Sequence, residues 1–175
     1  VAVVGDQLIT TNTSMMRPAE IVTVSLADNS WHQLTHENDA TIAELSDITC
    51  EERWITTTDN KKMLTWVLYP PEFNPENKYP AILVCLGGPQ GTLSQGWSTR
   101  WNYRLMAAQG YIVVLPNRRG TTAFGQAWTD QISGDYAGQN IKDYLSAADD
   151  LLEENYVSCR CKLWRIFCLL SGRCA

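Results

Sequence analysis

The sequence has 175 residues, 45% of them hydrophobic, with seven tryptophans and a net charge of −5. This composition belongs to a packed core and excludes wholesale disorder. The negative balance gives no basic footprint for nucleic acid or an anionic membrane, and no apolar run is long enough to span a bilayer.

The chain opens on Val1-Ala2-Val3-Val4, with neither an initiator Met nor a charged n-region, as expected of a chain that begins inside a longer protein. Residues 1 to about 45 predict short strands and turns. Glu20 to Leu26 alternates apolar and polar side chains, Asp28-Asn29 supplies a turn, and Trp31 to Thr35 supplies a return strand. Strands this short cannot bury a face alone, which makes them part of a larger β structure. Both histidines, His32 and His36, fall here and read as edge or loop residues.

A second unit opens near Glu51. Trp54 to Thr57 and Met63 to Leu68 flank Asp59-Asn60, a hairpin signal, and Pro70, Pro71 and Pro75 mark an extended connection. Ala81 to Leu86 is an unbroken apolar run, as expected of a strand covered on both faces. After the loop Gly87 to Gly96, a helix is predicted over Thr99 to Gln109, closed by Gly110. Tyr111 to Leu115 reads as a second buried strand stopped by Pro116. A long loop leads to a helix from Ile141 to about Glu154, with Ile141, Tyr144, Leu145, Ala148, Leu151 and Leu152 at helical spacing. A hairpin followed by strand, helix, strand and helix opens a mostly parallel α/β sheet.

Several segments, in this order, carry a family resemblance: Lys78-Tyr79-Pro80 with the strand after it, Gly87-Gly88-Pro89-Gln90, Gly110 to Val114, and Pro116-Asn117-Arg118-Arg119-Gly120. The set resembles the prolyl oligopeptidase family of serine peptidases. Arg100 to Gly110, Gln131 to Tyr136 and Asp143-Tyr144-Leu145 are similar to the secreted bacterial dipeptidyl peptidases of that family, of the Bacteroides type. The resemblance implies the N-terminal half of an α/β-hydrolase domain preceded by the terminal strands of a β-propeller. It divides the chain into propeller end (1–45), catalytic domain (46–157) and aberrant tail (158–175). It also implies peptide substrates, cleavage near peptide N-termini, a periplasmic or secreted home, and no cofactor.

The family's chemistry is acyl transfer by Ser, Asp and His, with the Ser on a Gly-x-Ser-x-Gly elbow and backbone N–H groups facing the oxyanion. The sequence contains no such elbow and no His after His36, so no triad can be assembled from it. Ser94, Ser98, Ser133 and Ser146 read as loop and helix-surface residues. Leu86, Gly87 and Gly88 are the oxyanion-loop candidates; Leu86 stands where many relatives have Tyr or His, and it has no side-chain donor. Asn117, Arg118 and Arg119 are candidates for the substrate side. The two arginines could face a substrate carboxylate or terminus, and internal pairing that braces the loop stays open as the alternative.

The tail from Ser158 has no family likeness, and Cys159, Cys161, Cys168 and Cys174 crowd it without a common zinc spacing, so no metal is expected. Read one nucleotide later, Trp164 is forced to Gly, Lys162 to Ser or Asn, and Cys161 to Ala or Val. With permitted codons the shifted segment reads Val-Ala-Gly-Ala-Ser-Tyr-Gly-Gly-Tyr-Ser-Val-Phe, which is the family's elbow. The expectation is a frameshift near residue 158. The open alternatives are an amphipathic partner helix, a cysteine cluster or a peripheral membrane anchor. Two other functions are carried: a truncated binding or regulatory protein docking on a full-length relative, and an esterase of the same fold.

A parallel sheet lacking its next strand leaves edges unpaired and faces uncovered. The purified chain is therefore expected to be poorly soluble or molten, and a sharp cooperative melt would contradict that.

Overall fold

Short alternating strands fold the first residues into an antiparallel meander. In the computed structural model, which describes residues 1–88, 90–154 and 156–157, these are β1 (Ala2–Val4), β2 (Gln7–Ser14), β3 (Arg17–Ser25) and β4 (Trp31–Gln33), in that spatial order. Asn29, in the β3–β4 turn, takes a left-handed φ of 58°. Within this unit, which comprises Val1–Asp47 and Ser94–Arg104, alternation turns Val22 inward and, beside it, Glu20. The buried Glu20 carboxylate accepts hydrogen bonds from the Thr35 hydroxyl and from the Asn38 backbone and side chain, both 2.9 Å. The Thr35 hydrogen bond, with the others, holds its pKa below the usual carboxylate value. These bonds place the short helix α1 (Asp39–Ala43), which residue alternation had not indicated. Arg104 donates to the carbonyls of Met16 and Ser46 and ties its segment to the meander.

The second unit spans Ile48–Leu93 and the described residues from Leu105 onward. β5 (Thr49–Thr56) and β6 (Lys62–Tyr69) form the expected hairpin, closed by the Thr57 N–H to Lys61 carbonyl bond at 2.8 Å. Next come β7 (Ala81–Leu83), α2 (Tyr103–Ala108), β8 (Ile112–Pro116), α3 (Gln126–Asp130) and α4 (Gln139–Glu153). The sheet order is β5-β6-β8-β7, antiparallel except for the β7–β8 pair, which is parallel. All five residues of β8 are buried, as a central strand requires. Its Ile112 and Val114 join Ile55, Met63, Val67, Trp128, Ala147 and Leu151 in the core, with α4 packed over β8 and β5.

Several boundaries differ from the sequence-based expectation, for identifiable reasons. β7 stops at Leu83 although the apolar run continues to Leu86, because the Leu86 carbonyl is taken by side chains rather than by a strand. The helix expected from Thr99 begins only at Tyr103, since the Ser98 hydroxyl captures the Trp101 N–H at 3.0 Å and forms a local turn. Pro116 ends β8 from inside, paired with Thr65. α4 starts at Gln139, whose N–H is met by the Asp135 carboxylate at 3.2 Å. Its buried face is centred on Asn140, Asp143, Tyr144, Ala147, Ala148 and Leu151, leaving Ile141 and Leu145 45% and 38% exposed.

After α4 the chain returns to the β7 side. Val157 bridges Tyr79 in parallel, and the Tyr79 N–H donates to the Tyr156 carbonyl at 2.8 Å. Phe73 packs there against the rings of Tyr69, Tyr79 and Tyr156, with centroids 4.4, 5.1 and 5.3 Å away. The expectations for the segment 158–175 lie outside the described residues. Among the described residues, no helix is long and apolar enough to cross a membrane, and no His, Cys, Asp or Glu group could hold a metal ion.

Gly110 and Gly120 both take left-handed φ values, 88° and 91°, but only Gly120 is crowded. A Cβ on Gly120 would lie 2.6 Å from Arg118 Nη1 and 2.8 Å from Ile132 Cγ2, whereas one on Gly110 meets open space. Gly110→Ala should cost about 1–2 kcal/mol from its backbone alone. Gly120→Ala should cost roughly a further 1–2 kcal/mol from overpacking. Urea denaturation of the two variants side by side checks the ranking.

Candidate active site

Because β7 and β8 run parallel, their carboxyl ends lie on one edge of the sheet, and the loops after them, Val84 to Leu93 and Asn117 to Gly125, meet there. In open α/β sheets this edge is where ligands bind. Three buried side chains from the second loop hold the arrangement: Asn117, Arg118 and Arg119, exposed by only 1%, 2% and 4%.

Asn117 joins the loops directly. Its Oδ1 accepts the Leu93 N–H at 2.9 Å and its Nδ2 donates to the Leu93 carbonyl at 3.1 Å, an acceptor shared with Trp66 Nε1 at 3.1 Å. Arg118 reaches the first loop higher up, donating from Nη2 to the Leu86 carbonyl at 2.8 Å. Its Nη1 donates to the Arg119 carbonyl at 2.6 Å and its Nε to the Tyr144 hydroxyl at 3.1 Å. The Tyr144 hydroxyl in turn donates to the same Leu86 carbonyl at 3.3 Å. Burial pushes the Tyr144 phenol up to about 12, so it stays a protonated donor at neutral pH.

Arg119 points the other way, into a carboxylate pair. It bonds Asp59 of the β5–β6 turn through Nη1 at 2.7 Å and through Nη2, and Thr57 Oγ1 lies 3.3 Å from Nη2. Asp143 of α4, with no exposure, lies 3.3 Å from Arg119 Nε and accepts the Arg119 backbone N–H at 3.0 Å. The Trp128 ring lies against the guanidinium, 5.1 Å from its centroid. The Arg119 hydrogen bond holds Asp59 well below the usual carboxylate range. Burial pushes Asp143 up, against the pull of Arg119. Burial also disfavours the charge on Arg119, but its two carboxylates more than offset this and raise its pKa.

Arg118 and Arg119 are therefore both buried, with their guanidinia bonded to groups of this chain. Leu86 and Gly87 are half-buried, and Gly88 is exposed with φ of 134°, a conformation L side chains rarely adopt. The remaining candidates do not assemble. His36 pairs with Asp39 at 2.6 Å in the first unit, Ser146 bonds the Lys142 carbonyl within α4, and Ser94 and Ser133 are exposed. An open groove of about 380 Å³ beside β5 and α4, lined by Ser146, Asp149, Asp150 and Glu153 among others, contains none of the oxyanion-loop or substrate-side candidates. Sequence reasoning missed Asp59, Asp143 and the Tyr144 hydroxyl. The available signal was an Asp set within the apolar stripe of a helix, which is costly unless a cation meets it.

Comparison with known proteins gives a consistent result. Residues 97–161 match the prolyl oligopeptidase family. Over 153 residues, 87% of this chain, the sequence is 52% identical to dipeptidyl-peptidase 5 of Porphyromonas endodontalis and 51% identical to that of Porphyromonas gingivalis. The chain spans 22% of the length of each. The acylaminoacyl peptidase of Pyrococcus horikoshii superposes with a TM-score of 0.75 at 23% identity, over 89% of this chain and 24% of that one. Dipeptidyl peptidase 4 of P. gingivalis superposes with 0.69 at 22% identity, over 87% and 22%. The fold is the N-terminal part of an α/β-hydrolase domain preceded by the terminal strands of a β-propeller.

Asp59→Asn removes the outer carboxylate of the Arg119 pair and should cost about 1–3 kcal/mol, at the lower end because Asp59 is one-third exposed. Asp59 has a folded pKa below its ordinary 3.8, so its contribution is complete above that value and lost as pH falls through the folded one. The variant should be cleaved faster than the parent by a nonspecific protease at pH 7, with the difference shrinking near pH 3.

Proposed function

We propose that this chain, whose residues 97–161 match the prolyl oligopeptidase family, is a portion of a serine-type dipeptidyl peptidase of that family, cleaving peptide bonds near peptide N-termini. The observation that carries this reading is the braced pair of loops at the carboxyl ends of β7 and β8, beside a sheet edge that the chain re-enters at Tyr156 and Val157. A nucleophilic Ser carried just beyond a strand on that edge would meet the Leu86-Gly87-Gly88 loop. Backbone N–H groups there would stabilise the oxyanion of the tetrahedral intermediate. Asn117, Arg118 and Arg119 serve as the frame of that loop in this reading. Peptide substrates and a periplasmic or secreted home belong to the same proposal, supported by the resemblance to dipeptidyl-peptidase 5.

The chain itself lacks the means to form an acyl-enzyme, since its sequence holds no Gly-x-Ser-x-Gly and no His after His36. The shifted reading of the codons from Ser158, which restores Gly-Ala-Ser-Tyr-Gly-Gly, is the proposed route back to the complete enzyme. A second reading starts from β7, the last strand of the order β5-β6-β8-β7 among the described residues: this chain could dock to a full-length relative along that side of the sheet.

A fluorophosphonate probe should leave the 175-residue chain unlabelled and should label the protein expressed from the shifted frame, which should also release dipeptides from peptide substrates. Labelling of the 175-residue chain, or no peptidase activity from an open shifted frame, would contradict the proposal. A stable complex between the inactive chain and a full-length relative would favour the docking reading.

A further inference from the structure

We propose that the open groove between β5 and α4 is a docking site for an extended basic peptide segment, which pairs with the outer edge of β5 and sets lysine or arginine side chains at alternate positions against Asp149 and Glu153. The inference does not depend on the peptidase reading and goes beyond it.

The backbone of β5 supplies one wall. The Thr57 N–H bonds the Lys61 carbonyl at 2.8 Å, and from that pair the register runs Thr56 opposite Lys62, Ile55 opposite Met63 and Trp54 opposite Leu64. Antiparallel pairs alternate between bonded and non-bonded, so Ile55 exchanges hydrogen bonds with Met63 while Trp54 and Thr56 turn their N–H and C=O groups away from β6. The same alternation turns Leu64 toward β8, where its carbonyl accepts the Asn117 N–H at 2.9 Å. β5 is the first strand in the order β5-β6-β8-β7, and among the described residues nothing pairs with its outward groups. The groove is lined by the consecutive residues 54–58, which places it along the edge of the strand rather than over one face.

The helix supplies the other wall. Asp149, Asp150, Glu153 and the C-cap Glu154 crowd the end of α4, with no basic residue in its last turn. Negative charges four residues apart near a helix C-terminus are unfavourable until a cation meets them. Arg53 of β5 meets one pair, its Nη1 lying 2.8 Å from Asp150 and 3.9 Å from Glu154. Asp149 and Glu153, both on the groove, have no ion pair among the described residues. A basic side chain on a strand added beside β5 would serve them as Arg53 serves their neighbours.

The spacings fit such a strand. Residues four apart on a helix rise by about 6 Å, and residues two apart on a strand by about 6.6 Å, so alternate side chains of an extended segment fall opposite the two carboxylates. Ile55 is buried in the core with Ala147 and Leu151 of α4, so Trp54 belongs to the other face of β5, 49% exposed, with Nε1 held by Glu52 at 2.8 Å. Its ring is available to the intervening apolar residues of the segment. Main-chain pairing supplies the affinity of this binding mode and alternate side chains its selectivity.

The probe is an N-acetylated fluorescent heptapeptide of alternating lysine and valine, titrated by anisotropy into the 175-residue chain and into the protein expressed from the shifted frame. The latter is first treated with fluorophosphonate, so that binding at a reactive serine is blocked. Saturable binding is expected, and the glutamate–valine analogue should not bind. Asp149→Asn with Glu153→Gln changes two exposed side chains and should weaken binding by about tenfold in about 50 mM salt, with a smaller difference near about 0.5 M. The lysine peptide N-methylated along its backbone keeps its charge but has no donors, and it should not bind. Absence of saturable binding in both proteins, equal binding of the glutamate or N-methylated peptide, or unchanged affinity in the double variant overturns the proposal. So does sedimentation showing a dimer of this chain that the lysine peptide cannot dissociate. Peptidase activity does not enter the readout, so the proposed function and the docking site fail separately.

Discussion

The buried Arg119 guanidinium is the constraint on which the carboxyl edge of this sheet depends. A cation so far from water is tolerable only where carboxylates and hydrogen-bond acceptors surround it. Here they come from two separate elements: Asp59 from the β5–β6 turn and Asp143 from α4. One side chain therefore sets the position of the hairpin end and the rotation of the helix together. Because Asp143 must face Arg119, Tyr144 falls beside it against Arg118, and Ile141 and Leu145 are carried to the exposed side.

The neighbouring arginine extends the same logic with different partners. Arg118 holds carbonyls and a phenol, and through them the loop after β7. The two guanidinia thus divide the work, one fixing the helix and hairpin, the other transmitting that position to Leu86. Function in such a fold resides in loops, but the geometry of those loops is set by buried polar contacts beneath them. The family match over residues 97–161 gains a physical content from this, since the Pro116 to Gly120 segment within it supplies these contacts.

Legibility in the sequence followed the locality of the physics. The β5–β6 hairpin was readable because Asp59-Asn60 acts within a few residues, and Gly110 ended its helix by its own conformational freedom at φ 88°. β8 was readable from an apolar run that is in fact buried throughout. The misplaced boundaries all depend on partners distant in sequence or on a competing side chain. β7 is cut short by Arg118 and Tyr144, and α2 is delayed by Ser98. The stripe of α4 is re-centred by Arg119. α1 and α3 are five residues each, too short for periodicity to register. The arginines were found as a motif, but their inward direction required the carboxylates of Asp59 and Asp143, which no spacing rule links to them.

If the protein is the serine peptidase proposed above, its buried arginines frame a backbone oxyanion donor rather than contact substrate. The most direct measurement is a crystal structure of the complete enzyme carrying a peptidyl phosphonate on its nucleophilic serine. The phosphonyl oxygen should lie within hydrogen-bond distance of a backbone N–H of the Leu86-Gly87-Gly88 loop, with Arg118 still on the Leu86 carbonyl and Arg119 still between Asp59 and Asp143. A phosphonyl oxygen remote from that loop, with either guanidinium turned onto the ligand, would contradict it.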